Sequence, residues 1–384
     1  MNKKAKLVVS SLAILGVLST IGMPVFGANK NSTEVMDMES VIAAVASGNS
    51  SLSLYDKKIK ILTEKINAVV PYDEETNYDR GTRADETDYQ REMRLNVNPP
   101  RRELELHNLL WDKQQDQDEI VISSKQYYYQ YVLQDQIIEL QKSKIERLKK
   151  VLENKKAGID IGTEAGYTLI DDQVNVNDAE TALLQLINEK ENIRMKLNIN
   201  MGKNVDAPLM VKTKDIPYEE YKADKLDDVV AKTSKGYHTI TAMSEEIRLD
   251  TKEKGIADEY DTDPNQLVRA ASPNTDYKSW SETLGDTIVN LGYDLTDESI
   301  DVESKIRTDY NNVLNLNNTV LVKKLDCDKA ETLLNTEKAR LTAGQSVQLS
   351  VDTAQEMLNA ATVELSKAKI DYFEDAQQFK NYIK

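Results

Sequence analysis

The feature that most constrains this 384-residue chain is an internal repeat. The segment 38–52 matches 226–240 at an offset of 188 residues. Further along, the offset becomes 182, and the aligned pairs include Tyr128 and Tyr310, Leu152 and Leu334, and Gly162 and Gly344. A unit that cannot bury its own apolar face must pack against another copy of itself. The sequence therefore predicts two tandem copies of one structural unit, which we call copy one and copy two.

Each copy has the apolar spacing of a coiled-coil hairpin. In copy one, Ile138, Ile145 and Leu152 recur every seven residues. A second arm carries Val176, Ala179, Leu183, Leu186, Ile193 and Leu197, interrupted by Lys190. The first arm runs from about 102 to 157 without Pro or Gly, which at about 1.5 Å per residue predicts a helix on the order of 80 Å long. The predicted fold class is all-α, with a leading helix and a long helical hairpin in each copy.

Glycines mark where each hairpin reverses, because a helix commonly ends in a left-handed residue that glycine adopts without strain. They are Gly158, Gly162 and Gly166 in copy one and Gly344 in copy two. The hairpin tips are therefore predicted at 158–167 and 342–347. These glycines, together with Arg340 beside the second tip, are the candidates for contact with a partner.

Composition sets the remaining boundaries. A stretch with Pro208 and Pro217 separates the two copies and predicts a connecting region. Two strongly polar stretches predict loops inside the copies. The predicted parts are a first repeat at 28–203 with a polar loop at about 71–101, a connecting region at 204–225, and a second repeat at 226–384 with a polar loop at about 256–285.

The N-terminus has the pattern of a secretory signal peptide. Lysines at 3, 4 and 6 precede an apolar stretch from Leu7 to Ile21, followed by small residues near Gly27. This stretch is shorter than the roughly 20 residues that span a bilayer as a helix, and no later stretch approaches that length. Residues 1–27 are predicted to be removed on export, leaving no transmembrane helix. An uncleaved N-terminal anchor is the alternative.

Charge and residue usage exclude several classes of function. The chain has 65 acidic and 49 basic residues and a formal net charge of −16, which disfavours nucleic acid as a partner. It has two histidines, His107 and His238, and one cysteine, Cys327. This set gives no zinc-binding pattern and no nucleophile with a histidine base. We therefore predict a protein that is not an enzyme and that needs no cofactor or metal.

The whole arrangement resembles the TolC-like outer-membrane efflux protein family. The features that carry the resemblance are the leading helix, the tyrosine-rich start of a long helix at 126–131, the glycine turn, and the second arm at 354–361. The resemblance covers nearly the whole mature chain. It implies a trimer, in which six hairpins close into a twelve-helix tunnel. It also implies an adapter protein and a membrane pump that engage the hairpin tips, and a location in the outer membrane.

The sequence departs from that family where each repeat should supply strands to a membrane β-barrel. The corresponding segments, 72–88 and 257–266, are polar throughout. They lack the alternation of apolar and polar residues that a lipid-facing strand requires. The sequence thus predicts TolC-like helical repeats without a clear membrane β-barrel. The predicted location is accordingly the cell envelope or cell surface.

The resemblance also implies acidic residues that line a constriction at the tips, six and nine positions beyond the turn glycine. Those positions are Thr168 and Asp171 in copy one and Ser350 and Thr353 in copy two. Only Asp171 matches, although Asp172 and Asp352 lie beside these positions. The three aspartates are the acidic tip candidates. The alternative is that they are solvated residues in the first turn of a helix, where the helix dipole favours them.

These observations predict an exported TolC-like component of an efflux or secretion conduit, acting as an oligomeric helical tunnel or scaffold. The alternative is a structural or interaction protein of the cell wall or cell surface that transports nothing. The absence of barrel-like alternation favours this alternative. In either case no bond is made or broken.

Overall fold

Two very long helices dominate the fold. The computed structural model describes residues 35–68, 87–161, 168–221, 225–262 and 276–383. Helix α4 is Asn98–Asp160, with 63 residues, and helix α8 is Tyr277–Thr342, with 66. At about 1.5 Å per residue each is roughly 95 to 100 Å long. Each is followed by a shorter antiparallel helix, α5 (Thr168–Asn200) and α9 (Gln348–Tyr382). The predicted all-α pair of long hairpins is confirmed.

The leading helix of each copy is broken into two, where the sequence predicted one. Copy one has α1 (Met38–Gly48) and α2 (Ser50–Asn67), and copy two has α6 (Leu226–Gly236) and α7 (His238–Thr262). The break falls at the equivalent residues Asn49 and Tyr237, which both have extended backbone. Asn49 also caps α2, because its side-chain oxygen accepts the backbone N–H groups of Ser51 and Leu52.

The described parts of the two polar stretches predicted as loops are almost entirely helical, so the prediction was wrong for those parts. Residues 88–101 belong to α3 (Asp88–Glu92), a π-helical stretch (Met93–Val97) and the start of α4. Residues 256–262 end α7, and 277–285 begin α8. The segments 69–86 and 263–275 lie outside the described residues, as do residues 1–34 with the predicted signal peptide.

Caps and aromatic packing explain why these polar stretches fold. Thr87 and Gln90 form a capping box at the start of α3, with hydrogen bonds of 3.2 and 3.0 Å. Tyr89 then packs on Tyr277 and Tyr260, with ring centroids 4.8 and 5.7 Å apart. Tyr260 and Tyr277 are buried. This tyrosine cluster thus holds together the start of α3, the end of α7 and the start of α8. The polar composition of these segments had predicted loops there.

The seven-residue seam forms as predicted. In copy one the buried residues of α4 include Tyr131, Ile138, Ile145 and Leu152. Copy two repeats the seam with Val313, Val320 and Leu334. Lys190, which interrupts the pattern, pairs with Asp135 and lies 4.6 Å from the ring centroid of Tyr131. A charged residue is tolerated in this seam because a carboxylate and an aromatic face both meet it.

The four long helices lie side by side in the order α5, α4, α9, α8. The central contact joins the two copies. Tyr129 on α4 packs against Phe373 on α9 with ring centroids 5.5 Å apart. Nearer the tips, Arg147 makes two hydrogen bonds of 2.5 and 2.7 Å to the carboxylate of Glu356. At the opposite end, α7 packs against both long helices, and α2 packs against α4.

The connecting region packs against the flanks of both hairpins. Tyr128 donates a hydrogen bond of 2.6 Å to the carbonyl of Lys212, and Tyr131 donates one of 3.0 Å to that of Leu209. In copy two, Tyr372 donates to the carbonyl of Glu219 at 2.7 Å. A two-residue parallel pairing, β1 (Val35–Met36) with β2 (Met210–Val211), joins this region to the start of the described chain. The described residues from Val35 onward belong to one compact unit.

Candidate functional site at the hairpin tips and the edge helices

The tip of copy two is a tight, glycine-dependent turn. Helix α8 ends at Thr342 and α9 begins at Gln348. Gly344 has a φ of +73°, its N–H bonds to the carbonyl of Leu341, and the N–H of Gln345 bonds to that of Arg340. This pair of hydrogen bonds is a Schellman motif. The position of Gly344 therefore requires a residue that adopts the left-handed conformation.

A side-chain clasp reinforces this turn. The carboxylate of Glu337 accepts a hydrogen bond of 2.6 Å from the Ser346 hydroxyl and one of 2.8 Å from the Arg340 guanidinium. The Ser346 hydrogen bond, helped by the Arg340 charge, lowers the pKa of Glu337 below its usual value. About half of the Arg340 side chain is still exposed. Arg340 can therefore brace the turn and present a charge to a partner.

The tip of copy one is described only on its two sides. Gly158 lies within the last turn of α4, which continues to Asp160, so this glycine is not itself the reversal point. The predicted tip candidates Gly162 and Gly166 lie outside the described residues. Ile161 and Ile170, on either side of that segment, are exposed. Apolar side chains are therefore presented at this end of the molecule.

The three acidic candidates have different surroundings. Asp171 is exposed in the first turn of α5. Asp172 pairs with Lys155 on α4 at 2.5 Å. Asp352 accepts a hydrogen bond of 2.8 Å from Gln348 within the first turn of α9. Asp171 alone is both at the position that the family resemblance implies and open to solvent.

The outer helices of the row leave two long edges open. Among the described residues, α5 and α8 are not neighbours, so each packs against one long helix only. Both carry large exposed apolar side chains. These are Ile170, Val174, Leu184, Ile187 and Ile199 on α5, and Trp280, Val289, Tyr293, Ile300, Leu321, Val322, Leu325 and Leu333 on α8. Apolar surface of this extent commonly marks a protein interface.

The structure brings the two histidines together, which sequence separation concealed. The His238 ring lies between the rings of His107 and Trp111, with centroids 4.9 and 4.6 Å away and nearly parallel planes. Its Nε2 is 2.9 Å from the side-chain oxygen of Asn108. Burial, with a smaller effect of His107, lowers the pKa of His238. The repeat alignment pairs His238 with Ser50 and gives no sign of this contact.

Within the described residues, no three His, Cys, Asp or Glu side chains converge on a position that could hold a metal ion. Nor does any helix there have the length and apolar character needed to cross a membrane.

Comparison with known proteins identifies the fold. No protein-family model matches the sequence, and no curated protein matches it. Solved structures do. The Campylobacter jejuni CmeC outer membrane channel has a TM-score of 0.64 and 11% identity, over 94% of this chain and 90% of that one. The outer-membrane channel OprN has a TM-score of 0.63 and 11% identity, over 90% and 89%.

CusC, whose structures concern folding and transmembrane channel formation, also matches. Its TM-score is 0.63 at 10% identity, over 95% of this chain and 98% of that one. The predicted TolC-like fold is confirmed by these likenesses over nearly the full length of both chains. The matched structures are of outer-membrane or transmembrane channels.

Proposed function

We propose that this protein is an exported component of an efflux or secretion conduit, and that it works as a ring of several molecules. The observation that carries the proposal is the open row α5, α4, α9, α8, whose two edge helices both expose apolar side chains. Because the two edges of this row of helices differ, one edge of a molecule pairs with the other edge of the next molecule. Repeated pairing of this kind closes a ring when the rotation between neighbouring molecules is suitable. The TolC-like fold supports a ring that encloses a passage.

The trimer, the adapter protein and the pump belong to this proposal through the family resemblance. The tips would be the contact with an adapter. Copy two would contribute Arg340 and the turn at Gly344, and copy one Gly158, Gly162 and Gly166. The acidic group at Asp171, Asp172 and Asp352 would lie beside that contact. The location that suits this role is the cell envelope.

The first test is the solution mass of residues 28–384, measured by light scattering over a range of concentrations without detergent. We expect a stable mass near three times that of the monomer, and rings with a central opening in negative-stain images. A different closed ring would overturn only the trimer. A monomer at every concentration would contradict the conduit, and would favour the cell-wall interaction protein instead.

The adapter contact needs its own test. A photo-reactive amino acid at Arg340 should form an adduct with an envelope protein in the native cell, whereas the same group at Leu110 should not. Leu110 is a suitable control because it is also exposed but lies on α4 far from the tip. Equal adducts at both positions, or adducts at neither, would refute the tip contact.

A further inference from the structure

A groove lies between helices α2 and α7, which both pack against α4. Its volume is 640 Å³. Sites that hold small organic molecules have volumes of about 300 to 1,000 Å³. The floor of the groove is apolar, because Leu62 and Leu249 are buried there and Leu104 and Leu109 of α4 also line it. The groove thus offers an apolar surface of suitable size for a small ligand.

The side chains that α2 and α7 contribute to the groove are related by the repeat. At the offset of 188 residues, Lys58 corresponds to Glu246 and Ile61 corresponds to Leu249. All four of these residues line the groove, two from each copy. The apolar position is kept between the copies, whereas the charged position has changed sign. The groove therefore has a basic wall on α2 and an acidic wall on α7.

An ion-pair network beside the groove leaves the α7 side with a net negative charge. Asp250 and Glu253 of α7 are 5% and 6% exposed, and each accepts a hydrogen bond of 2.6 Å from Arg101. Trp280 donates a further hydrogen bond of 3.1 Å to Glu253. Together with Glu246, three carboxylates share one guanidinium on this side.

Both walls also carry a charged group that is open to a ligand. Lys65 of α2 is the repeat equivalent of Glu253 and is exposed. Within the described part of the chain, neither Lys65 nor Glu246 forms an ion pair. The complete lining holds three basic and three acidic side chains, which are Lys58, Lys65 and Arg101, and Glu105, Asp112 and Glu246. A ligand with one charge of each sign matches this lining better than an anion or a cation does.

We infer that this groove binds a small zwitterionic amphiphile. The apolar body of the ligand lies on the leucine floor, its anionic group pairs with Lys65, and its cationic group pairs with Glu246. A molecule with a single charge is attracted by one wall and repelled by the other. The site lies within one chain, so it goes beyond the proposed ring and does not depend on it.

Four probes with the same decyl chain test the charge preference. They are decyl sulfobetaine, which is zwitterionic, decyl sulfate, decyltrimethylammonium, and the neutral decyl maltoside. Isothermal titration calorimetry would measure their binding to the purified protein below the micelle concentration of each probe. Each partly exposed charge pair should strengthen binding on the order of three-fold. With two such pairs, the sulfobetaine should bind on the order of ten-fold tighter than each of the other probes.

Reversing the charge of one wall should change which probe binds best. Lys65→Glu makes the α2 wall more acidic and should shift the preference toward decyltrimethylammonium. Glu246→Lys makes the α7 wall more basic and should shift it toward decyl sulfate. The double variant should again prefer the sulfobetaine. Lys60→Glu is the matched control and should keep the native preference, because Lys60 is also an exposed lysine of α2 but does not line the groove.

A steric variant separates binding in the groove from binding elsewhere on the protein. Ile61 lines the groove and is 54% exposed, whereas Leu54 is 42% exposed on α2 outside the groove. Ile61→Trp should weaken binding of the sulfobetaine on the order of five-fold because it fills part of the groove, and Leu54→Trp should not. Absence of binding, equal affinity for all four probes, or the same preference in Lys65→Glu and Lys60→Glu would each overturn the inference. None of these results would affect the proposed ring.

Discussion

Copy one and copy two share their helices but differ in how the end of the leading helix is held. In copy one, Gly48 lies directly against the end of α5: a Cβ atom there would be 2.2 Å from the carbonyl oxygen of Met201. Asn49 also donates a hydrogen bond of 3.1 Å to the carbonyl of Asn200. The equivalent Gly236 in copy two has no described atom within 4 Å of such a Cβ. Repeated sequence therefore does not guarantee a repeated structural role.

The difference arises because the second arms end differently. Helix α5 finishes in a Schellman motif at Gly202, with φ +66°, and this turn brings its backbone against Gly48. Helix α9 reaches Tyr382, whose ring instead packs on Tyr237 with centroids 4.8 Å apart. Copy one uses backbone contact at this joint, and copy two uses aromatic side chains.

The largest expected effect is at the backbone contact. Gly202→Ala forces a side chain into a left-handed position and places its Cβ 1.8 Å from the carbonyl oxygen of Gly48. Strain and overlap together should lower the free energy of unfolding by about 3 kcal/mol or more. Urea denaturation followed by circular dichroism would measure this. A loss below about 1 kcal/mol would show that the contact relaxes easily.

The equivalent glycines Gly48 and Gly236 should respond differently to substitution by alanine. Gly48→Ala should destabilise the protein by about 2 kcal/mol because of its close contact with Met201. Gly236→Ala has open space and occupies the last turn of a helix, so it should be neutral or stabilising by up to about 1 kcal/mol. The denaturation midpoint of Gly48→Ala should fall, and that of Gly236→Ala should stay unchanged or rise. Equal shifts would remove the distinction between the copies.

A smaller difference in stability is expected between two equivalent seam positions, Lys190 of copy one and Tyr372 of copy two. Tyr372 in copy two donates to the carbonyl of Glu219 and accepts the N–H of Tyr221 at 2.7 Å. Tyr372→Phe leaves both groups without that partner and should cost about 1 to 2 kcal/mol. Lys190→Met in copy one breaks a pair with the largely exposed Asp135 and should cost less than about 1 kcal/mol. Thermal unfolding of the two variants would rank them, and the reverse order would contradict this reading of the seams.

The smallest expected effect is a dependence of stability on pH that arises from His238. Copy one has no titratable residue at the corresponding position, Ser50. Because burial lowers the pKa of His238, the folded state favours the neutral ring. The neutral His238 ring contributes its full stabilisation at pH values above the pKa of the unfolded state, which is about 6.5. This stabilisation is lost as the pH falls from there toward the lowered pKa of the folded state. Around the ring, His107 of α4 is the stacked neighbour, and Glu298 of α8 accepts a hydrogen bond from the residue after His238, Thr239.

Comparison with a serine variant isolates that contribution. His238→Ser supplies the residue that copy one has at the equivalent position, Ser50. Unfolding free energies measured from pH 7.5 to 5 should fall more steeply for the native chain than for the variant. Parallel curves would show that His238 does not titrate differently on folding. A shallower native curve would mean that the Trp111 face stabilises the charged ring more than burial opposes it.

Much of the architecture could be predicted because its signals are local and periodic. The spacing of Ile138, Ile145 and Leu152 fixes which face of α4 is buried, and Gly344 marks the reversal of the second hairpin. The broken leading helices could not be predicted in the same way. Asn49 caps α2 with its side-chain oxygen, and its amide group donates to the carbonyl of Asn200, which lies 151 residues away in the sequence. The helical starts at Asp88 and Tyr277 depend on tyrosines that meet from three separate segments.

The sequence by itself determined the duplication, the long helical hairpins and the absence of an evident catalytic arrangement, since these depend on residue type and spacing along one chain. The tertiary structure decided which repeated residues keep a role, how His107, Trp111 and His238 meet, and which helices form the open edges. Those outcomes depend on contacts between segments 100 or more residues apart. Periodicity specifies the face that a helix buries, but only packing specifies the surface that covers it.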